Sequence, residues 1–364
     1  MSNVVVVGGG IIGVAIARQL AANGAAVTLL HEGPIGGGAT AAAMGHLIAL
    51  DDIDAVAAFT LHSLQLWRQF ELPDACERVR CGCLWVAEDD EEMAEAGAKA
   101  TRYQQRNVDA EVVSAETLQQ LEPHLAADLA GGLRVPSDCV IYPPQAARWL
   151  MQQAVQGGAI VRQAKVTSVT AHRVELAGGE HIETDWVVVA TGDRIAQLLP
   201  ELPVVPRKGH LLITARGTPF LQHQVVELGY IKKAHSRDAV SVACNVQPRV
   251  TGQVLIGSSR QLGTTDPAVE RPILARMLER ATRFFPELPS LTALRTWTGF
   301  RAATPDGAAL IGVLEPGLAV AGGHEGVGIT QAPATAELIS HCILGSATAI
   351  DPTAFNPRRF GEAA

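Results

Sequence analysis

The stretch VVVVGGGIIG, residues 4–13, decides the fold. Four valines in a row predict a strand that is buried on both faces, and the Ala-rich stretch that follows predicts a helix. Between them, Gly8 permits a tight turn, Gly10 removes the Cβ that would block a pyrophosphate, and Gly13 lets the helix pack on the strand. The helix N-terminus then faces the phosphates. A second apolar strand comes next, so this βαβ unit predicts a dinucleotide-binding domain; the alternative is an ordinary glycine turn.

The residue that would bind the ribose is not settled by the pattern. In such motifs an acidic residue about 20 positions on, at the end of the second strand, takes the ribose hydroxyl. That register gives His31, and Glu32 follows one position later. Position favours His31, whereas chemistry favours Glu32, so both remain candidates.

Composition narrows the class of protein. The chain has 364 residues, of which 48% are hydrophobic and 18% charged, which predicts a compact fold of two interleaved domains. The net charge of -8, with no Lys/Arg block, argues against a nucleic-acid partner. No basic leader or run of about 18 apolar residues occurs, so neither a secretory signal nor a membrane span is predicted. Six cysteines without a framework spacing indicate reduced thiols and a cytoplasmic location.

Two of these cysteines, Cys81 and Cys83, would share one face of a strand, because side chains in a strand repeat every two residues. Two thiols cannot complete a four-ligand zinc or iron–sulfur site, so no metal is expected. We interpret them as buried small residues; a contact between subunits is the alternative.

The order of elements predicts two domains. A strand, a glycine loop and a helix return at Leu318–Leu344, so the chain leaves the nucleotide domain, builds a second domain and comes back. The stretches Val240–Gln247 and Gln253–Ser258 predict a hairpin in the second domain. We therefore predict an α/β fold with a Rossmann-like nucleotide domain and a substrate domain built on a mixed sheet. The predicted nucleotide domain comprises residues 1–80, 140–204 and 296–364, and the predicted substrate domain comprises residues 81–139 and 205–295.

Other stretches are assigned by periodicity. Further strands are predicted at Arg80–Ala87, Val161–Val174 and Glu180–Ala190. Helices are predicted at Ile53–Phe70, Glu88–Arg106, Ala146–Gly157, Pro267–Phe285 and Gln331–Leu344, and the second of these is acidic and is expected to be exposed.

Six motifs in a fixed order carry a family resemblance over nearly the whole chain. They are Gly8–Gly13, Gly36–Ala43 (GGGATAAA), Val189–Gly192 (VATG), Pro206–Gly209 (PRKG), Trp297–Arg301 (WTGFR) with Pro305–Gly307 (PDG), and Gly322–Ile329 (GGHEGVGI). With these motifs the chain resembles the glycine oxidase/D-amino acid oxidase family of FAD enzymes. The stretches Ala43–Leu47, Asp51-Asp52 and Cys81–Ala87 more narrowly resemble bacterial D-hydroxyproline dehydrogenase or oxidase subunits.

The resemblance implies FAD rather than NAD, bound in a glutathione-reductase-like domain. Ala39 and Thr40 match positions at the phosphates, Met44–His46 matches the run against the isoalloxazine, and Val166 matches the residue whose backbone meets adenine. From the residues alone, 36–45 is also compatible with a flexible loop. The full set of predicted cofactor residues is Gly8, Gly10, Ile11, Ile12, Gly13, His31, Glu32, Ala39, Thr40, Met44, Gly45, His46, Val166, Thr191, Gly192, Gly326, Val327, Gly328 and Ile329.

Arg301 is the leading catalytic candidate, because it matches the family's carboxylate-binding arginine. A guanidinium offers two parallel N–H donors to a carboxylate, which would fix the substrate's Cα–H over flavin N5. The alternative is a surface or interdomain salt bridge. His46, in the flavin run, is a second candidate: it could form a covalent histidyl-flavin, or it could be a solvent-bridging or packing histidine.

Two positions depart from glycine oxidase. Gly326 stands where that enzyme has an arginine, and Asn245 stands where it has an active-site tyrosine. Next to Gly326, Glu325 could face a protonated amine or a ring hydroxyl, or it could cap the glycine turn. Asn245 and Glu325 complete the set of catalytic candidates.

The resemblance implies oxidation of the C–N bond of a small amino or imino acid by hydride transfer to flavin N5, which requires no strong base on the enzyme. D-hydroxyproline or D-proline is the first substrate expected, and sarcosine, glycine or an opine is the alternative. A third hypothesis is an FAD-carrying electron-transfer subunit of a heteromeric dehydrogenase. Additional dehydrogenase subunits or a second copy of the chain are the protein partners considered.

Overall fold

The first sheet is built around the four valines. The computed structural model describes residues 1–49, 53–229 and 240–361. Val4 and Val6 belong to one hydrophobic core, while Val5 and Val7 belong to another, so the strand is buried on both faces as predicted. In spatial order, the strands of this sheet are Leu310–Glu315 (β18), Leu318–Gly322 (β19), Trp186–Val189 (β12), Asn3–Val7 (β1), Ala26–His31 (β2) and Ile160–Gln163 (β8). All pairs are parallel except β18 with β19.

Helices cover one face of this sheet and a small sheet covers the other. The helices are Ile11–Ala22 (α1), Asp54–Gln69 (α3), Pro143–Gln156 (α6) and Gly328–Leu344 (α9). α1 packs between α6 and α9. On the opposite face lie the antiparallel strands Val166–Thr170 (β9), Arg173–Leu176 (β10) and His181–Glu183 (β11), with the short helix Ile195–Leu198 (α7). The three layers confirm the Rossmann-like α/β class.

The second sheet has eight strands and mixed direction. In spatial order they are Ala293–Ala303 (β17), Val205–Thr214 (β13), Val254–Gln261 (β16), Val240–Pro248 (β15), Gln224–Glu227 (β14), Cys83–Ala87 (β4), Gly131–Val135 (β6) and Glu111–Ser114 (β5). Within the described residues, β14 and β4 pair in parallel and the other neighbours in this sheet pair antiparallel. The helices Asp90–Gln105 (α4), Ala115–Leu121 (α5) and Arg271–Phe284 (α8) pack against it. α8 buries Met277, Ala281 and Phe284 on β15 and β16.

A short segment joins the two sheets. It consists of the helix Gly38–Ala42 (α2) and the strand His46–Leu47 (β3), which pairs with Cys139–Val140 (β7). A Cβ added at Gly299 in β17 would lie 2.3 Å from the Cβ of Ala42, so a glycine is required for α2 to approach the second sheet this closely. The indole N–H of Trp297 donates to the carbonyl oxygen of Ala42 at 3.2 Å. This segment and the second sheet face each other across one cavity.

Several observed elements differ from the predicted ones. β4 begins at Cys83 rather than at Arg80, α6 at Pro143 rather than at Ala146, and α8 at Arg271 rather than at Pro267. The predicted strands Val161–Val174 and Glu180–Ala190 are each divided, because the chain passes between the parallel sheet and the three-stranded sheet within both stretches. α9 begins at Gly328 rather than at Gln331. The boundary proposed at residue 296 falls inside β17, which pairs with β13 along most of its length. The hairpin of β15 and β16 and the helix α3 lie where they were predicted.

The prediction that Cys81 and Cys83 share one face of a strand was wrong. Gly82 between them has a φ of +70°, outside the extended region, and β4 begins only at Cys83. The Cys83 thiol is fully buried, and burial raises the pKa of Cys81 to about 11. Within the described ranges, no group of three or more His, Cys, Asp or Glu side chains is arranged to hold a metal ion.

Candidate active site

The glycine turn after β1 has the geometry of a phosphate cradle. Gly8 has a φ of +128°, and a Cβ added to it would lie 2.3 Å from the carbonyl oxygen of Ala190. A Cβ on Gly13 would lie 1.9 Å from the carbonyl oxygen of Gly8, so helix and strand approach too closely for any other residue. The N-cap, Gly10, has no side chain, and the first turn of α1 carries no acidic residue. The positive end of this helix is therefore suited to an anion.

The segment 36–42 lies against the start of α1. The N–H of Gly36 donates to the carbonyl oxygen of Gly9 at 2.8 Å, and the N–H of Ile11 donates to Oγ1 of Thr40 at 3.0 Å. Thr40 is buried within α2, and Ala39 precedes it on the wall of the cavity. This stretch is thus ordered and in contact with the cradle, where the alternative interpretation had a flexible loop.

The remaining cofactor candidates lie along the ends of neighbouring strands. Thr191, after β12, has a buried Oγ1 with no hydrogen-bond partner in the described part of the chain, and Gly192 has a φ of +64°. At the start of α9, a Cβ on Gly328 would lie 3.9 Å from the side chain of Ile12. The glycine cradle, the unpartnered hydroxyl and the acid-free helix start together fit the diphosphate of a dinucleotide.

The end of β2 brings the two ribose candidates next to the adenine candidate. The N–H of Ala164 donates to the carbonyl oxygen of His31 at 2.9 Å, which sets Val166 beside this strand end. Glu32 forms ion pairs with Arg194 at 3.0 Å and with Lys165 at 3.5 Å. His31 lies over the glycine turn, since a Cβ on Gly9 would be 2.8 Å from its Cβ.

One cavity brings together all four catalytic candidates. Part of its wall is the segment of α2 and β3, and the rest comes from the second sheet, the loop before α9 and the first turn of α9. Its lining residues are Ala39, Ala42, Ala43, Met44, Gly45, His46, Gly209, Leu211, Asn245, Ser258, Gly299, Phe300, Arg301, Glu325, Gly326 and Ile329. Arg301, Glu325, Asn245 and His46 therefore lie around one volume, although their positions in the chain are up to 279 residues apart, the difference between 46 and 325.

Arg301 is held against the backbones of β13 and β16. Its Nη1 donates to the carbonyl oxygen of Ser259 at 3.0 Å. A Cβ on Gly209 would lie 2.7 Å from Nη1 and 3.0 Å from Nη2, so only a glycine lets the guanidinium lie in this position. His210 supports Ser259 in turn, because its backbone N–H donates to Oγ of Ser259 at 2.9 Å. The guanidinium is thereby positioned before a substrate arrives.

The negative charge of Glu325 is balanced by two arginine side chains, and its carboxylate does not cap the glycine turn. Its carboxylate forms an ion pair with Arg207 and lies 3.9 Å from Nε of Arg260. Its backbone has a φ of +48°, and its N–H donates to the carbonyl oxygen of Ala302 at 2.8 Å. The carboxylate therefore remains on the cavity wall with its position fixed by the second sheet.

Sequence reasoning missed Arg207 and Arg260. The pairing of strands would have identified Arg207 as a site residue, because Arg207 of β13 lies directly opposite Arg301 of β17. Like charges at such a position are destabilising unless an anion lies near them. The carboxylate of Glu325 is that anion, but the pairing register of two strands about 90 residues apart cannot be read from either strand alone.

His46 is a neutral side chain at this site. Desolvation lowers its pKa to about 4, and the charge of Arg301 acts in the same direction, whereas the neighbouring side chain of Gln247 opposes the shift. Its carbonyl oxygen accepts a hydrogen bond from Oγ1 of Thr330 at 2.8 Å, and that of Met44 accepts one from Gln247 at 2.6 Å. Both ends of the run 44–46 are therefore fixed through the backbone.

The match to a known family decides the identity of the cofactor. Residues 3–342 match the model of the family described as DAO, FAD dependent oxidoreductase. The chain belongs to this family. It is an FAD-dependent oxidoreductase, as the resemblance implied, and FAD is the dinucleotide that the glycine cradle fits. Among the described residues of this oxidoreductase, no helix combines the length and apolarity that crossing a membrane requires.

Relatives match the oxidoreductase over nearly its whole length. A glycine oxidase of Geobacillus kaustophilus is 27% identical over 380 residues, which cover 98% of this chain and 97% of that protein. A glycine oxidase of Pseudomonas putida is 29% identical over 379 residues, with 97% and 98% covered. The crystal structure of glycine oxidase from Geobacillus kaustophilus has a TM-score of 0.88 at 27% identity, with 99% of both chains covered. L-proline dehydrogenase from P. horikoshii shares the fold, with a TM-score of 0.89 at 24% identity over 99% and 97% of the two chains.

The two ribose candidates can be separated by mutation. We expect His31→Ala to weaken FAD binding about fivefold, the scale of one hydrogen bond, because His31 lies over the glycine turn. Glu32→Ala should have the smaller effect, because its carboxylate already pairs with Arg194 and Lys165. Titration of the apoproteins with FAD, followed by flavin fluorescence, gives both dissociation constants. A larger loss for Glu32→Ala would reverse the assignment.

Proposed function

We propose that this oxidoreductase oxidises the C–N bond of a small amino or imino acid. The observation that carries the proposal is the pair of opposite charges on the cavity wall, Arg301 and Glu325. The zwitterion of an α-amino acid carries its carboxylate and its ammonium group on the same carbon atom, and this pair complements both. The relatives named glycine oxidase support an amino acid as the substrate class.

Arg301 binds the substrate carboxylate in this proposal. A guanidinium can donate two parallel N–H bonds to a carboxylate, which fixes orientation as well as position. Because Ser259 and Gly209 already hold the guanidinium, little conformational freedom is lost when the substrate binds. The carboxylate then sets the orientation of the Cα–H bond that must break.

Glu325 receives the substrate ammonium. Its carboxylate accepts N–H bonds from the amine, while Arg207 keeps it from turning away. The substrate reacts as the neutral amine, after its ammonium group has lost a proton to solvent; the Cα–H bond then breaks with its electron pair leaving as hydride, and the nitrogen lone pair forms the C=N bond. Bound FAD supplies the two-electron acceptor.

Among amino and imino acids, we propose D-hydroxyproline or D-proline as the first substrate, with glycine, sarcosine or an opine as the alternative. A Cβ on Gly326 would lie 3.9 Å from Nε of Arg301. Because Gly326 has no side chain, there is room beside Arg301 for a ring or side-chain substituent. A glycine substrate would have no such substituent. An FAD-carrying subunit for electron transfer alone would have no use for the paired charges.

A panel of proline analogues tests the proposal. Under anaerobic conditions, proline and glycine have both charges, pyrrolidine lacks the carboxylate, and the ring-oxygen analogue of proline lacks the amine. We expect the visible flavin absorption to bleach with the zwitterions, far more slowly with pyrrolidine, and not with the ring-oxygen analogue. Bleaching by the ring-oxygen analogue as fast as by proline would show that the C–N bond is not the one oxidised.

A further inference from the structure

Two more polar side chains line the cavity, and each presents an atom that lacks a partner. Asn245 is 6% exposed and Ser258 is 3% exposed. Oδ1 of Asn245 and Oγ of Ser258 are both buried and accept or donate no hydrogen bond within residues 1–49, 53–229 and 240–361. Buried polar atoms in proteins are nearly always hydrogen-bonded, so two such atoms on one wall require an explanation.

The two side chains belong to neighbouring strands. Asn245 in β15 lies opposite Gly257 in β16, which puts Ser258 one residue from the same pair. Between Val242 and Asn245 the ladder shifts register, so that three steps along β15 match two along β16. A bulge of this kind redirects side chains, and it occurs next to active sites. A Cβ on Gly257 would lie 3.0 Å from Sδ of Met44, so this wall adjoins the run 44–46.

The donor and acceptor types of these atoms select among ligand groups. The amide oxygen can only accept a hydrogen bond, whereas a serine hydroxyl can donate one. A carboxylate has no proton to give to the amide oxygen. An ammonium group could donate to both oxygens, but in the proposed function Glu325 is already the partner for that charge. A hydroxyl group can donate to Oδ1 and accept from Oγ at the same time.

We propose that Asn245 and Ser258 form a subsite for a hydroxyl group on the side chain or ring of the substrate. This rests on the proposed oxidation of amino or imino acids and narrows its substrate class to hydroxylated members. A site built to bond a hydroxyl discriminates against the analogue that lacks it, because its own polar groups are then left buried and unpaired. We expect hydroxyproline to be oxidised with a kcat/KM at least about tenfold above that of proline of the same configuration.

The experiment measures this preference, the ratio of kcat/KM for hydroxyproline to that for proline, in the FAD-loaded protein and in Asn245→Leu, Ser258→Ala and Ser241→Ala. Asn245→Leu and Ser258→Ala should each lower the ratio at least about threefold. Ser241→Ala, on the same strand but away from the cavity, should keep the wild-type ratio. Flavin content and the FAD dissociation constant are measured for every variant, and they should match the wild type.

The possible results test the hydroxyl subsite and the proposed function separately. A wild-type ratio near one, with proline and hydroxyproline both reducing the flavin, overturns the hydroxyl subsite and leaves the proposed function standing. Loss of FAD binding in Asn245→Leu and Ser258→Ala, with the ratio unchanged, assigns the two atoms to the cofactor and also overturns it. If no amino or imino acid reduces the flavin, the proposed function itself fails. Should one variant not fold, the wild-type ratio and the other variant still decide the test.

Discussion

Replacing Arg301 with alanine is expected to lower kcat/KM for amino acids by about 10²-fold or more, while the visible flavin spectrum stays unchanged. Removing one partner of a buried charge pair costs about 2–5 kcal/mol, because the other charge is left desolvated and unpaired. The substrate carboxylate would be that charge. Arg301→Lys should restore only part of the activity, since an ammonium is a point charge without the two-pronged geometry of a guanidinium.

Arg295 offers a matched control on the same strand, β17. Its side chain is exposed and stacks over the ring of Trp297 at 5.5 Å, outside the cavity lining. Arg295→Ala should keep the wild-type kcat/KM. Pyrrolidine, which lacks the carboxylate, should show little difference between wild type and Arg301→Ala. Normal turnover of amino acids by Arg301→Ala would exclude the carboxylate clamp.

Gly8→Ala is expected to abolish FAD binding. The added Cβ would lie 2.3 Å from the carbonyl oxygen of Ala190, and the φ of +128° is one that alanine rarely adopts. The turn must therefore move, and with it the N–H groups that face the diphosphate. The purified variant should be colourless, and titration with FAD should not restore the flavin absorption.

Gly24→Ala is the matched control for Gly8→Ala, because it introduces backbone strain without a steric conflict. Gly24 also has a positive φ, +85°, but a Cβ there would have no atom within 4 Å. This variant should lose some stability and still bind one FAD per chain. Circular dichroism of both variants shows whether they are folded. If folded Gly8→Ala retains FAD with wild-type affinity, the glycine turn is not the phosphate cradle.

The nucleotide domain was predictable because its signals are local. A strand of β-branched residues, glycines at fixed spacing and an apolar helix lie within about 30 consecutive residues, and each local choice agrees with the others. The second sheet was predictable only as mixed. Its strand β4 pairs with β14, about 140 residues away, and the sequence of neither strand identifies such a distant partner.

Burial by tertiary contacts explains a further difference. The helix α4 is acidic and was expected to be exposed, yet Lys99 and Tyr103 are buried on one of its faces. Lys99 lies over the rings of Trp85 and Tyr103 at 4.7 and 4.8 Å. From the sequence, a lysine on an acidic helix is predicted to face solvent. Its burial becomes evident only from the packing of the helix on the second sheet.

The candidate site, too, was only partly predictable from the sequence. Arg301, Asn245 and Glu325 were singled out by comparison with a family pattern, and the structure places them on one cavity. Ser258 was not predicted as a site residue, because a serine in an apolar strand carries no signal of its own. It becomes notable only when a cavity is found beside its unpartnered hydroxyl. The resemblance carried by Asp51 and Asp52 concerns positions outside the described residues.

The most direct test of C–N oxidation is a single turnover without oxygen. The FAD-loaded protein is mixed with a few equivalents of each stereoisomer of proline and hydroxyproline, and the flavin absorption is followed before the products are identified by mass spectrometry. We expect at least one of these imino acids to bleach the flavin and to yield, per flavin reduced, one product that has lost two hydrogen atoms from its C–N unit. A flavin that dithionite reduces but that no amino or imino acid bleaches would contradict the proposal.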